Sequence, residues 1–172
     1  MARVNITKTA ALKAIIAHLK SDLSLEEHRA FYSIAPVSVR VPQGSDWWLS
    51  VSGNDGEFDQ ELLTGAVIEQ CTENSSFTLT AYKRLHYDET DHHDELVLRA
   101  GEGLEDLAKL ILKSLAGVDL QSEGNEFSRE LFSPQSISAP DVLYPEGEDE
   151  DEKIGIGFIS VTFGLSFDWD LS

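Results

Sequence analysis

The last part of the chain alternates strictly between apolar and polar side chains from Ile159 to Trp169. A period of two places successive side chains on opposite faces, so this segment is predicted to be a β-strand with one apolar face. The apolar positions are Ile159, Val161, Phe163, Leu165, Phe167 and Trp169. Few folds accommodate such a strand, because the usual length is about five or six residues and the remainder extends past the core.

The alternation changes phase just before this strand. Ile154, Ile156 and Phe158 are apolar at even positions, whereas the apolar residues from Ile159 onward lie at odd positions. The switch therefore predicts either a β-bulge or a strand that changes its packing partner between Phe158 and Ile159.

Two segments have the apolar spacing of a helix face. The first follows Thr9, a candidate N-cap, and the second ends before Gly117, a residue typical of helix C-termini. The apolar positions are Leu12, Ile15, Ile16, Leu19 and Leu23 in the first, and Leu104, Leu107, Ala108, Ile111 and Leu115 in the second. These patterns predict an α+β fold, with two main amphipathic helices packed on a mostly antiparallel sheet and a long C-terminal strand.

Shorter strands are predicted between the helices, and a short helical turn is predicted at 26–28. The predicted strands span residues 37–41, 47–51, 63–71 and 77–84. Pro36 and Pro42 bound the first of them and indicate a short or edge strand. Glu73-Asn74-Ser75 is predicted to be a hairpin connection between the last two.

One α+β domain of residues 1–172 is expected, because a chain of this length can bury a single core. Two segments are predicted as insertions into it. One is the polar loop 86–95, and the other is the acidic loop 121–153, which contains brief extended pieces.

The charge balance excludes several classes of function. Acidic residues outnumber basic ones by 31 to 13, for a formal net charge of −18. Such a chain is not expected to wrap nucleic acid or to dock on anionic membranes. No apolar run approaches the roughly 18 residues that span a bilayer, and no signal peptide is recognised, so a cytoplasmic product is expected. The single cysteine, Cys71, excludes an internal disulfide and a cysteine-based zinc site within one chain.

The polar loop contains the main cluster of histidines and carboxylates. Its candidate metal ligands are His86, Asp91, His92 and His93, because imidazole and carboxylate groups at short spacing bind zinc or another divalent ion. No HExxH or HxH pattern defines a geometry, and a solvated loop is the alternative interpretation.

A run of carboxylates occupies the acidic loop: Glu146, Glu148, Asp149, Glu150, Asp151 and Glu152. The run lacks the ligand spacing of an EF-hand. It is interpreted either as a solvated loop or as a source of negative potential that repels phosphate.

Three tryptophans are candidate interface residues: Trp47, Trp48 and Trp169. Trp47 and Trp48 are adjacent on a predicted strand, so one indole is expected in the core and the other exposed or at an interface. No GxSxG elbow is present, and Gly101 and Gly103 lack the third glycine of a dinucleotide site. We therefore predict no catalytic residue, no cofactor and no enzymatic activity.

The order of these elements resembles that of a known family. An amphipathic helix precedes Ala35-Pro36-Val37, a strand at 77–84 leads into the helix that begins at Gly103, and the chain finishes in the strand ending Phe167-Asp168-Trp169-Asp170-Leu171. This order is similar to that of the small α+β proteins at the head-proximal end of long bacteriophage tails, the tail terminator family and its neck relatives. The resemblance covers most of the chain and lies in element order, so no functional residue is carried over.

The resemblance implies a structural virion protein of the tail or neck, assembled in the host cytoplasm. It implies a homo-hexameric ring that caps the tail tube and contacts the head connector, with a central passage through which DNA moves without specific binding. Carboxylates of the acidic run are expected to line that passage, because they repel phosphates. An exposed indole and the long strand are expected at subunit contacts, since rings close through heterologous interfaces.

Two other functions stay open on the sequence. One is another tail or neck component, such as a tube, sheath-adaptor or head-completion protein, which would differ in copy number and polymerisation. The other is a metal-binding regulator or metal-dependent enzyme that uses His86, His92 and His93. Stoichiometric zinc or manganese in the purified protein would identify the second, and an unrelated acidic binding module is a further alternative.

Overall fold

The structure is a computed structural model and describes residues 8–38, 40–58, 70–85, 103–116, 133–143 and 155–170. Its elements are α1 (Lys8–Asp22), a 3₁₀ turn (Glu27–Arg29), β1 (Ala30–Tyr32), β2 (Trp47–Gly53), β3 (Glu57–Phe58), β4 (Gln70–Leu85), α2 (Leu104–Leu115), β5 (Ser133–Ile137), β6 (Asp141–Leu143) and β7 (Gly155–Asp170). The described strands form one sheet in the order β1-β2-β4-β7-β5, with β3 attached to β4 and β6 to β7. Only the β1–β2 pair among them is parallel. The predicted α+β class, both helices and the long C-terminal strand are confirmed.

Both helices cover the same face of the sheet. Leu12, Ile15 and Leu19 of α1 are buried at the spacing that their periodicity predicted. The same is true of Leu104, Ala108, Ile111 and Leu115 of α2. His18 Nε2 lies 3.1 Å from the Ser114 carbonyl oxygen and links the two helices. Burial of these stripes on the sheet is the main source of helix stability, since short isolated helices are marginal in water.

The centre of the core lies where β4 pairs with β7. Phe77 is opposite Phe163, Leu79 opposite Val161, and Ala81 opposite Ile159. The rings of Phe77 and Phe163 stack with centroids 5.3 Å apart and planes 11° from parallel. These side chains belong to the cluster that contains the buried residues of α1 and α2.

The opposite face of the sheet is covered by an irregular segment that follows β1. The predicted strand at 37–41 is wrong, because the described residues of this segment are bends and coil. Its backbone instead bonds to side chains of the sheet. The Ser38 amide donates to the Tyr82 hydroxyl at 2.7 Å, and the Thr80 hydroxyl donates to the Pro36 carbonyl at 2.7 Å. Proline at 36 and 42 removes ladder donors, which favours this arrangement.

The phase switch before the last strand marks a change of packing partner. Ile156 packs with Trp48 and Tyr82 under the irregular segment, whereas Ile159 packs in the helix-covered core. The β4–β7 register continues without a shift through both positions. The alternative of a bulge in the β4–β7 pairing is therefore wrong, and the change of partner is confirmed.

β4 continues through the predicted hairpin connection. Glu73, Asn74 and Ser75 pair with β7 in an unbroken register, so the predicted turn is wrong. Turn-forming residue types are accommodated here because their side chains bond to the loop after β2. The Ser75 hydroxyl donates to the Asn54 carbonyl oxygen at 3.2 Å. Of the predicted strand at 63–71, only residues 70–71 are described, and they belong to β4.

Two of the brief extended pieces predicted in the acidic loop 121–153 are strands. β5 and β6 both pair with β7, so the described part of this segment belongs to the sheet. The polar loop 86–95 lies outside the described residues. The single-domain organisation of residues 1–172 stays a prediction.

Because the Tyr82 hydroxyl is buried, we expect the protein to lose stability in alkaline solution. Burial raises the pKa of Tyr82 above its ordinary value of 10.0, against the opposing hydrogen bonds from Ser50 and the Ser38 amide. The unfolded chain thus ionises first, and the stabilisation that neutral Tyr82 contributes is lost as pH rises from about 10 through the folded-state pKa. Urea unfolding at increasing pH should show a steeper loss of stability in the native protein than in Tyr82→Phe. Tyr32→Phe is the control, since Tyr32 is exposed, and parallel curves for all three proteins would contradict the expectation.

Candidate assembly surface

The longest feature of the fold is the ribbon formed by β4 and β7. Each strand has 16 residues, and they pair from Gln70–Asp170 to Leu85–Gly155. At about 3.3 Å per residue the ribbon is roughly 50 Å long. Among the residues whose side chains the structure describes, the helix-covered core reaches Phe77 and Phe163, and the paired backbone continues roughly 20 Å beyond them.

The far part of this ribbon has two strands in the part of the chain that the structure describes. β2 pairs with β4 at 77–83 and β3 pairs at 73–74, so among the described strands residues 70–72 pair with 168–170 alone. We call these six residues the ribbon end. Two-stranded ribbons are marginally stable in water, and unpaired strand edges are templates for further contacts. The ribbon end is therefore a candidate contact surface.

The base of the ribbon is anchored by a buried carboxylate. Glu73 is 8% exposed, and its Oε1 lies 3.5 Å from Lys8 Nζ at the start of α1. Lys8 Nζ also donates to the Asn54 carbonyl oxygen. A polar partner offsets the cost of burying a carboxylate, and here it joins the first turn of α1 and the loop after β2 at one point of β4.

Gly56 packs against the Glu73 carboxylate, so a side chain at position 56 is expected to lower the stability of the fold. A Cβ on Gly56 would lie 2.8 Å from both Cγ and Cδ of Glu73. We expect Gly56→Ala to lower the free energy of unfolding by about 1–3 kcal/mol, because Glu73 must move away from Lys8. Urea denaturation measures this change.

Gly53→Ala is the matched control. A Cβ there would lie 3.2 Å from Leu12 Cδ1 and 3.4 Å from Lys8 Cδ, so these side chains need to give by only a few tenths of an ångström, and the variant should cost less than Gly56→Ala. In a Glu73→Ala background the Gly56→Ala cost should fall to below about 0.5 kcal/mol, since the obstructing atoms are gone. Equal costs with and without Glu73 would contradict the proposed contact.

Exposed apolar side chains lie at both lateral edges of the sheet. Tyr32 ends β1 and is 55% exposed, and Ile34, two residues later, is 91% exposed. Ile137 ends β5 and is 55% exposed. β1 and β5 are the two ends of the described strand order. Single exposed apolar residues are common, but their placement at opposite edges makes each edge a candidate contact surface.

The two adjacent tryptophans have different roles. Trp48 is fully buried and stacks on Tyr82 with ring centroids 5.6 Å apart. The prediction of Trp48 as an interface residue is therefore wrong, because the irregular segment covers that face of the sheet. Trp47 keeps partial exposure, and the Arg29 guanidinium lies 4.5 Å from its ring centroid. One indole of the pair is in the core, as expected, and Trp47 is the one that remains accessible.

The remaining predicted site residues lie at positions whose side chains the structure does not describe. The backbone of Trp169 lies in the ribbon end opposite Cys71, and its side chain is outside the description. His86, Asp91, His92 and His93 lie outside the described residues, as does the whole acidic run from Glu146 to Glu152. Within the described ranges, no group of three or more His, Cys, Asp or Glu side chains could hold a metal ion. The metal hypothesis stays untested.

One described histidine approaches both a hydroxyl and a carboxylate. His28 Nε2 lies 3.4 Å from Ser45 Oγ and 3.3 Å from Glu26 Oε2. A Ser-His-acid triad needs the hydroxyl and the carboxylate on different ring nitrogens, so that the acid orients the base. Both partners share one nitrogen here, and the arrangement is not that of a triad.

The sequence patterns missed the two contacts that organise this surface. Glu73 lies in the segment predicted as a turn, and the link between Tyr82 and the Ser38 amide joins residues far apart in the chain. The one feature of the sequence that could have indicated the Lys8 contact is the carboxylate of Glu73 between strand-forming residues. Such a carboxylate indicates that a cation lies near it, but it does not indicate which lysine or arginine that is.

No protein-family model matches this chain, and no curated protein matches it. Among the described residues, no helix is both long enough and apolar enough to cross a membrane.

Proposed function

We propose that this protein is a structural component of a bacteriophage virion. In this proposal it is a tail terminator, which forms a ring on the end of the tail tube and joins the tube to the head connector. The observation that carries the proposal is the β4–β7 ribbon, whose paired backbone continues roughly 20 Å past Phe77 and Phe163, the last residues of the helix-covered core among those whose side chains are described. A ribbon of this length in a small α+β chain is suited to contacts with other subunits.

The lateral edges support ring formation. A ring closes through heterologous contacts, in which one patch of a subunit meets a different patch of the next. Exposed apolar residues at β1 and at β5 supply two different patches at opposite ends of one sheet. Their positions suit a head-to-tail arrangement of copies.

The charge of the chain supports a passage for DNA. Each copy carries a formal charge of −18, so a ring of copies would be strongly acidic. Its field would be screened within about 8 Å at physiological salt, which confines the repulsion to the wall of a passage. The run from Glu146 to Glu152 supplies the first candidates for carboxylates on that wall. Repulsion of phosphates would let the duplex slide without being bound.

Native mass spectrometry followed by negative-stain imaging tests the proposal. We expect closed rings with an open centre and the mass of six chains of 19.0 kDa each. Rings should also bind the end of purified tail tubes. Open-ended polymers would point to a tube or sheath component instead, and a protein that neither forms rings alone nor binds tubes would overturn the proposal.

Cryo-electron microscopy of an intact tail tests the acidic passage separately. We expect carboxylates on the inner wall of the ring, with the residues of the acidic run among them. A basic or apolar inner wall would contradict this part of the proposal while leaving the terminator position intact.

A further inference from the structure

The two lateral edges of the sheet differ in charge as well as position. Residues 30–40, which are β1 and the irregular segment after it, contain one charged residue, the basic Arg40. The described residues 133–143, which include β5 and β6, contain one charged residue, the acidic Asp141. Each edge thus carries one charged side chain among its described residues, and the two charges are of opposite sign.

Each edge combines its charge with an exposed apolar group. We define the β1 edge patch as Tyr32, Ile34 and Arg40, and the β5 edge patch as Ile137 and Asp141. All five are exposed, and Ile34 is 91% exposed. Arg40 is ordered by its position 4.7 Å from the centroid of the Phe31 ring. An arginine held in this way loses less entropy when it forms an ion pair.

Copies of this chain repel one another overall, so a stable contact between them needs local complementarity. The β1 edge patch provides a cation beside an aliphatic side chain, and the β5 edge patch provides a carboxylate beside another. We infer that the β1 edge patch of one copy docks on the β5 edge patch of a second copy, with Ile34 against Ile137 and Arg40 facing Asp141. This inference rests on the proposed assembly of the chain and names its subunit contact.

The contact is made through side chains and not through strand addition. β5 contains Pro134, and its register with β7 shifts between Pro134 and Ser136. Proline and irregular pairing are features that prevent an edge strand from adding another strand. β1 has only three residues, which limits strand pairing on that side as well.

Cysteine cross-linking of two full-length variants tests the contact even when association is weak. In a Cys71→Ser background, Ile34→Cys is mixed with Ile137→Cys under mild oxidation. We expect disulfide-linked heterodimers at about tenfold or more above the level given by Ile34→Cys mixed with Leu110→Cys. Leu110 is the matched control, because it is an exposed apolar residue on α2 and lies on neither edge.

A charge swap tests the polar part of the contact. Arg40→Glu and Asp141→Arg should each reduce the cross-linking yield several-fold, and the mixture that carries both changes should recover it. Cross-links no greater than in the Leu110→Cys control would overturn the inference. So would equally strong cross-linking of Ile34→Cys with itself, because that result indicates a symmetric contact between two β1 edges.

These outcomes are independent of those that test the proposed function. Rings on tail tubes without the Ile34–Ile137 cross-link would retain the terminator function and reject this contact. The cross-link with charge-swap recovery, in a protein that does not bind tail tubes, would retain the contact and reject the terminator function.

Discussion

Replacing Trp48 with alanine will lower the free energy of unfolding by about 3–5 kcal/mol, the usual cost of truncating a large buried aromatic residue. Trp48 is fully buried and stacks on Tyr82, and Phe31 and Ile156 complete the same cluster. The alanine variant leaves a cavity between the sheet and the irregular segment, which can close only if the segment moves. Urea unfolding followed by circular dichroism measures the loss.

The neighbouring tryptophan provides the matched control. Trp47→Ala should cost only about 1–2 kcal/mol, because Trp47 is partly exposed and one side of its ring is covered by Arg29. Trp48→Phe should cost less than about 1.5 kcal/mol, since the stack is retained and Trp48 Nε1 has no hydrogen-bond partner among the described residues. Equal losses of stability for Trp47→Ala and Trp48→Ala would contradict the burial of Trp48 beneath the irregular segment.

Phe163→Ala will destabilise the protein by a similar amount, about 3–5 kcal/mol, through the other face of the sheet. Phe163 is 2% exposed, lies opposite Phe77 in the β4–β7 register, and stacks on its ring. Among the residues whose side chains are described, this pair is the last of the helix-covered core toward Gln70 and Asp170. Its loss therefore removes both core volume and the support of the ribbon.

Phe58→Ala is the control for this variant, because Phe58 is 48% exposed on β3. Its cost should stay below about 1 kcal/mol. A double-mutant cycle between Phe77 and Phe163 should give a coupling of about 0.5–1.5 kcal/mol, as expected for a stacked aromatic pair. Additive single losses, or a Phe58→Ala cost equal to that of Phe163→Ala, would reject this account of the core.

The ribbon and the edges have different roles in the proposed assembly. The Lys8–Glu73 pair and the Phe77–Phe163 stack hold the ribbon to the domain, so their variants should affect folding. Ile34, Ile137 and Arg40 are exposed, so their variants should affect association and leave stability nearly unchanged. The two sets of substitutions therefore separate loss of fold from loss of contact.

Local patterns predicted the elements that depend on periodicity. The apolar stripes of α1 and α2 each specify one buried face, and a helix with such a stripe is stabilised once it packs on any apolar sheet. The phase switch at Phe158 and Ile159 is also local, because the side-chain period of two sends Ile156 and Phe158 to one face of the sheet and Ile159 to the other. The α+β class followed from these patterns.

The candidate site depended on contacts that a local pattern does not contain. Which of Trp47 and Trp48 is buried depends on which face the irregular segment covers, and that segment resembled a strand because Val37 and Val41 are typical of strands. The two edges could not be placed in advance, because strand order is set by pairing between residues far apart in the chain.

The periodicity of the helices and of the last strand, the excess of carboxylates and the phase switch can all be read from the amino-acid sequence, since each is a property of neighbouring residues. The unbroken course of β4 through Glu73, Asn74 and Ser75 depends instead on contacts between distant parts of the chain. Those residue types favour a turn in isolation. In the folded chain, sixteen residues of β7 pair with β4, and Lys8 binds the buried Glu73 carboxylate. Long-range pairing outweighs the local preference for a turn, because the extended strand is hydrogen-bonded to β7 along its whole length. A turn at Glu73-Asn74-Ser75 would break that pairing.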